Sequence, residues 1–267
     1  MGTTTSKAVD GPNHATATAI VNAVNEQQLA HLLPPLIAEL DSNDATREDA
    51  SSGGPLFLLD LDCGTGENTL TLAGLTRHWR VPVELEGWDR DGDKLEIARA
   101  RCKDCRWENT NSSVIFSEGS HWKRLQIGHP ALKYFRHMYE FVLSTMVMHR
   151  MPLHVFFKGI EGLLSRDSIA LVTCLHPEFG VTERGLDGSK DVENEIRGES
   201  GFRHDVQEVL SAAKRCGLTL HGAVKEVELC TEVIEKLEHS VREDARKWVG
   251  RKVWFSIVLR RVTDNNF

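Results

Sequence analysis

The chain has 267 residues, 40% of them hydrophobic and 27% charged, with a formal net charge of -7. That length suits one large α/β domain with additions, or at most two domains, with ample apolar material for a core. The acidic balance argues against a broad phosphate-binding surface, so nucleic acid is not an expected partner. No run approaches the ~20 apolar residues that span a bilayer, so no membrane segment is expected. Met1 to Ala8 contains no apolar secretory core. The six cysteines, Cys63, Cys102, Cys105, Cys174, Cys216 and Cys230, then read as reduced thiols of a cytoplasmic protein.

Residues 1–13 are small and polar and read as a disordered tail. From His14 a helical pattern puts Ile20, Val21 and Val24 on one face. Asn25 with Gln28 reads as a second helix start, and Pro34-Pro35 as an interruption before Leu36, Ile37 and Leu40. Residues 14–54 thus form an expected helical lid with a Ser/Asp/Gly-rich linker from Asp41 to Gly54. The run Leu56 to Leu61 reads as a strand buried on both faces. A turn with Gly64 and Gly66 follows, then a helix from Glu67 to Trp79. Glycines let backbone approach a ligand closely, and the free N–H groups of a helix start favour an anion. This plan describes a nucleotide-type cofactor site. The dinucleotide fingerprint Gly-x-Gly-x-x-Gly fails, because Glu67, Asn68 and Thr69 follow Gly66.

A second strand, Val83 to Trp88, ends at Asp89, and Asp91 is an expected cap of the next helix. There Leu95, Ala98, Cys102 and Cys105 share one face, so the Cys-x-x-Cys pair reads as buried packing and no metal is expected. Val114 to Phe116 is a third strand, followed by Gly119-Ser120. Tyr139 to Val142 is a fourth, running into Leu143-Ser144-Thr145, and Val155 to Leu164 is a helix. Ile169 to Leu175 is the fifth strand. This alternation implies a doubly wound parallel sheet that binds ligands beyond the carboxyl ends of its strands. Residues 178–205 read as a substrate-side loop insertion. A helix from Val206 to Cys216, a strand from Leu218 to Leu229, a helix opened by Thr231 and a last strand from Lys252 to Arg261 complete the chain.

Asp60, Gly64 and Gly66 resemble the first motif of class I S-adenosylmethionine (SAM) methyltransferases, Asp-x-Gly-x-Gly-x-Gly. The runs Gly87-Trp88-Asp89, Leu95 to Ala100, Leu143-Ser144-Thr145 and Lys247 to Trp254 resemble small stand-alone fungal methyltransferases, many of which serve secondary metabolism. The resemblance implies a seven-stranded Rossmann-like sheet with an antiparallel last strand over residues 55–267, SAM as cofactor and a small-molecule acceptor. It implies that Asp60, Asp62, Cys63 and the Gly64-Thr65-Gly66 turn lie against the methionine part of SAM. It assigns the ribose hydroxyls to Asp89, the adenine to Trp88 or Arg90 and to Gly119-Ser120, and the sulfonium side to Ser144 and Thr145. His149, His176 and His204, with Glu178, fall near the active face as candidate bases. One residue departs from the pattern. Asp62 stands where the family has its first glycine. It either pairs with the ammonium of the cofactor or marks a site that binds SAM without methylating.

Overall fold

The apolar run at the start of the motif forms β1 (Leu56–Leu61) in a computed structural model of the protein. The structure describes residues 14–44, 54–118, 138–179 and 204–261. The expected tail, the Gly119-Ser120 turn, residues 45–53 of the linker and most of the 178–205 loop lie outside the described residues. β1 pairs in parallel with β2 (Val83–Asp89), which pairs in parallel with β3 (Ser113–Glu118). On its other side β1 meets β4 (Tyr139–Thr145), which pairs in parallel with β5 (Leu164–Leu175). β6 (Leu218–Leu220) and β7 (Lys225–Glu228) both pair antiparallel with β8 (Lys252–Arg261), which runs antiparallel to β5. The order is β3-β2-β1-β4-β5-β8-β6, with β7 beside β8. β6 and β7 occupy one strand position, so the eight segments fill the seven positions that the resemblance implied. The expected continuous strand Leu218 to Leu229 breaks over residues 221–224, where Gly222 adopts φ +82°.

The connecting helices divide between the two faces. On one face Leu59, Leu61, Val142 and Val172 pack against α4 (Leu153–Leu163) and α5 (Val206–Arg215), through Phe156, Phe157, Ile160 and Val209. On the other, Leu58, Leu85, Phe141 and Leu171 pack against α1 (His14–Asp44) and α2 (Glu67–Leu75). The next connection is α3 (Gly92–Cys102), capped by Asp91, whose carboxylate accepts from the amides of Asp93 and Lys94. Each wholly buried leucine or phenylalanine in these layers contributes about 1.5–3 kcal/mol. The helix expected from Thr231 is divided into α6 (Thr231–Ile234) and α7 (His239–Arg246); of its expected inner face Ile234, Leu237, Ala245 and Trp248 are buried and Val241 is partly buried.

The N-terminal segment departs from expectation. It is one helix, α1, running through Asn25, Pro34 and Pro35. Asn25 does not cap a helix; its Oδ1 accepts from Thr173 Oγ1 (3.0 Å) and Trp254 Nε1 (3.1 Å), tying α1 to β5 and β8. The prolines remove the donors for the carbonyls of Ala30 and His31, but both residues are exposed and water can satisfy them. Burial holds the helix on either side of the prolines. Ile20, Val21 and Val24 pack with Val233, Trp248 and Trp254, while Leu33, Leu36, Ile37 and Leu40 join the sheet face.

Candidate active site

The strand order reverses between β1 and β4, and sheets of this kind bind ligands beyond the carboxyl ends at such a reversal. Both ends turn through left-handed backbone at a residue other than glycine: Asp62 has φ +62° and Met146 φ +58°. Such conformations cost about 1–3 kcal/mol and concentrate at functional sites. Gly64 (φ +56°) and Gly66 (φ +80°) complete the turn into α2. The two glycines serve different needs. A Cβ on Gly66 would come within 2.8 Å of Ala98 Cβ, so this glycine lets α2 pack on α3. A Cβ on Gly64 would meet nothing within 4 Å, so that backbone faces open space.

Asp60, at the end of β1, is wholly buried. Its Oδ2 accepts from Thr69 Oγ1 at 2.6 Å, while its Oδ1 is buried with no hydrogen-bond partner. Burial raises its pKa to about 7, opposed by the Thr69 hydroxyl and helped by the nearby Asp62. At the end of β4 the Ser144 hydroxyl is likewise buried without a partner, and Thr145 Oγ1 accepts from Asn68 Nδ2 at 3.3 Å. Asp89 is engaged by backbone: Oδ2 accepts from the Gly64 amide (2.7 Å) and Oδ1 from the Asp91 amide (2.9 Å). It therefore braces the glycine turn, with each carboxylate oxygen keeping one lone pair for a further donor. Thr65 is pinned by Arg101, which also pairs with Glu67 at 2.7 Å. Cys63 is buried beside Gly87, and burial pushes its thiol pKa upward.

Asp62 is paired within the chain. Its Oδ2 lies 2.6 Å from Arg150 NH1, and its side chain is 12% exposed against 46% for Arg150. Burial raises the pKa of its carboxyl, and Arg150 is the largest opposing influence. The left-handed turn explains why glycine suits this position and why aspartate, which tolerates that region, can stand there. Arg150 and Asn68 were not among the residues expected from sequence. Each is an isolated polar residue whose meaning depends on contact across 88 and 77 positions respectively.

The histidines separate. His149, in a short 3-10 turn (Met148–Arg150), has a buried Nδ1 without a partner, and its pKa falls to about 4 through burial, Arg150 and His204. His204 lies near it, with Nε2 3.3 Å from the Met151 carbonyl and its pKa also lowered by burial. His176 is occupied elsewhere: Nε2 contacts Glu226 Oε1 at 2.8 Å and Nδ1 accepts from the Glu178 amide at 3.1 Å. With both ring nitrogens engaged, it has no lone pair ready for a substrate proton. The expected adenine contact from Trp88 also fails. That ring is buried in the core, edge-on to Tyr139 at 5.9 Å, whereas Arg90 is exposed. Gly119 and Ser120 lie outside the described residues. Among the described residues no group of three or more His, Cys, Asp or Glu is arranged to hold a metal, and no helix is long and apolar enough to cross a membrane.

No family model matches the chain. An uncharacterized methyltransferase of Emericella nidulans is 28% identical over 245 residues, covering 89% of this chain and 83% of that protein. Among solved structures, an S-adenosylmethionine-dependent methyltransferase of Listeria monocytogenes, itself assigned only provisionally, superposes with TM-score 0.53 at 15% identity. The match covers 80% of this chain and 97% of that one. The chain has the class I SAM-dependent methyltransferase fold. That fold and the fungal relationship agree with the motif resemblance. The same methyltransferase fold is shared by the [4+2]-cyclase SpnF, with TM-score 0.56 at 15% identity over 97% of this chain and 100% of that one.

Proposed function

We propose that this protein transfers the methyl group of SAM to oxygen, nitrogen or sulfur of a small molecule beyond the carboxyl ends of β1 and β4. The observation that carries the reading is an unpartnered buried carboxylate oxygen, Asp60 Oδ1, beside a glycine turn that opens onto space. Buried polar groups are normally satisfied, so an orphan carboxylate oxygen under that turn fits a polar ligand. The donor set fits SAM in particular. In this reading Asp60 Oδ1 accepts from the ammonium, Gly64 and Thr65 offer backbone to the methionine part, and the remaining lone pairs of Asp89 accept from the ribose diol. Arg90 flanks the adenine side.

SAM supplies a methyl group already activated, because its sulfur leaves as a neutral thioether. The work left to the chain is alignment, exclusion of water and, for an alcohol or amine, management of one proton. Alignment supplies as much as ~7–11 kcal/mol, whereas a general base contributes about 10²–10⁴-fold. His149 Nδ1 is the acceptor for that proton in this reading, with His204 beside it. A histidine whose pKa is about 4 stays neutral near pH 7 and passes a proton on rather than storing it. The N-terminal half of α1, joined to β5 through Asn25 and Thr173, borders the same end of the sheet and serves as the lid. The resemblance of the motif runs to fungal enzymes supports a secondary metabolite as acceptor.

A second reading, SAM bound without methyl transfer, is favoured by the shared fold of the [4+2]-cyclase, since fold alone does not fix reaction. One experiment separates the two. The protein is incubated with methyl-labelled SAM and a fractionated fungal extract. Label is expected in the low-molecular-weight fraction. Label in protein or RNA overturns the small-molecule reading, and tight SAM binding with no label transfer to any fraction supports the second.

A further inference from the structure

We infer that Arg150 is the residue that receives the carboxylate of the cofactor's amino-acid end, and that Asp62 is the positioning residue that holds it there. The inference rests on the cofactor reading above. Its basis is geometric. Arg150 follows β4 in a short 3-10 turn, and its guanidinium reaches the end of β1, where one NH1 contact of 2.6 Å ties it to Asp62. That contact lies two positions before Gly64, the residue whose backbone faces open space. A guanidinium carries five N–H donors in a planar fork, so a bond from NH1 to one carboxylate leaves donors for a second. The Arg150 side chain makes no other hydrogen bond among the described residues and stays 46% exposed. It is held at one end and available at the other.

Charge order supports the assignment. A buried aspartate in a turn meant for an amino-acid ligand would repel that ligand's carboxylate. Paired with Arg150, it instead orients a cation toward the turn. A free amino-acid end then meets alternating signs, the Arg150 cation for its carboxylate and the unpartnered Asp60 oxygen for its ammonium. Asp62 at the glycine position and Arg150 after β4 act as one unit, so the departure from the motif is compensated rather than degenerative.

The test compares S-adenosylhomocysteine with 5′-methylthioadenosine, which keeps the nucleoside and sulfur but lacks the amino-acid end. Binding of each is measured by calorimetry to the unaltered chain, R150A, R150K and D62N. In R150A, S-adenosylhomocysteine should weaken on the order of 10–100-fold, the range of a charge-assisted contact, while 5′-methylthioadenosine stays unchanged. R150K should lie between, keeping charge without the fork, and D62N should show a smaller loss with the same selectivity. Unchanged S-adenosylhomocysteine affinity in R150A overturns the inference alone. Equal loss of both ligands also overturns it, because Arg150 would then merely support the turn. Failure of the unaltered chain to bind either ligand overturns the cofactor reading and this inference together.

Discussion

Asp62 shows how one backbone angle limits what a side chain can be. At φ +62° glycine is unstrained, aspartate is tolerated, and alanine pays about 1–2 kcal/mol with no local polar contact to offset it. Asp62→Gly relieves that strain but loosens the unfolded chain by about 0.5–1 kcal/mol and removes a half-exposed ion pair worth about 0.2–1 kcal/mol. These effects nearly cancel, so Asp62→Gly should melt within a few degrees of the unaltered protein. Asp62→Ala should be destabilised by about 1–2 kcal/mol. Equal melting temperatures for the two variants would show that the left-handed turn does not govern this position. The departure from the glycine motif was legible from sequence; its resolution was not. The partner lies 88 positions away, and a lone arginine after a strand carries no pattern. The histidines were located but not sorted for the same reason. Position at a strand end is local information, whereas the Glu226 and Glu178 contacts that occupy His176 exist only once the chain has folded.

At the scale of elements, the buried parallel strands were the most legible, because a continuous apolar run ending in a turn has few other uses. The start of α1 was legible and its continuity was not. Asn25 and Pro34-Pro35 are ordinary boundary signals, and tertiary contacts overrode both. The prolines are the cost of that override. Each lies on the exposed side of α1 and leaves one carbonyl of the preceding turn to water. Proline costs a helix interior about 3 kcal/mol relative to alanine, of which a more restricted unfolded chain returns about 0.4–1 kcal/mol. Pro34→Ala should therefore raise stability by about 2–2.6 kcal/mol, read as an upward shift in a urea midpoint with unchanged slope. A lower midpoint would mean that the prolines set a bend on which the packing of Leu36, Ile37 and Leu40 depends. The division of β6 from β7 was missed for a smaller reason. Gly222 is a single residue, and the only other sign is a shift of the apolar alternation from Leu218, Leu220 and Val224 to Val227 and Leu229; its φ of +82° marks the break.

Across the whole molecule, the candidate site sets two opposing pH dependences on folding. Asp60 is an acid whose folded pKa rises from 3.8 to about 7, so the folded state keeps a proton that the unfolded chain releases between those values. Stability from this group is greatest below the unfolded pKa and falls as pH climbs toward 7. His149 is a base whose folded pKa falls from 6.5 to about 4, so the unfolded chain takes a proton that the folded state refuses. Its contribution is fully present above 6.5 and is lost as pH falls toward 4. Asp62, raised by burial, adds to the first trend, and His204, lowered by burial, adds to the second. From about pH 4 to 6.5 the two leading proton differences cancel, and the unaltered protein should show little slope from this pair. Removing either group exposes the other. Urea midpoints between pH 4 and 7 should rise with pH in Asp60→Asn and fall with pH in His149→Asn, each by at most ~1.4 kcal/mol per pH unit in stability. Slopes of the same sign in both variants would show that these buried groups do not govern acid stability. Bound S-adenosylhomocysteine gives the same ledger a second reading. An ammonium on Asp60 Oδ1 favours the ionised carboxylate, so binding near pH 6 should release protons, seen as a calorimetric heat that varies with the ionisation enthalpy of the buffer. In Asp60→Asn that buffer dependence should disappear while some binding remains.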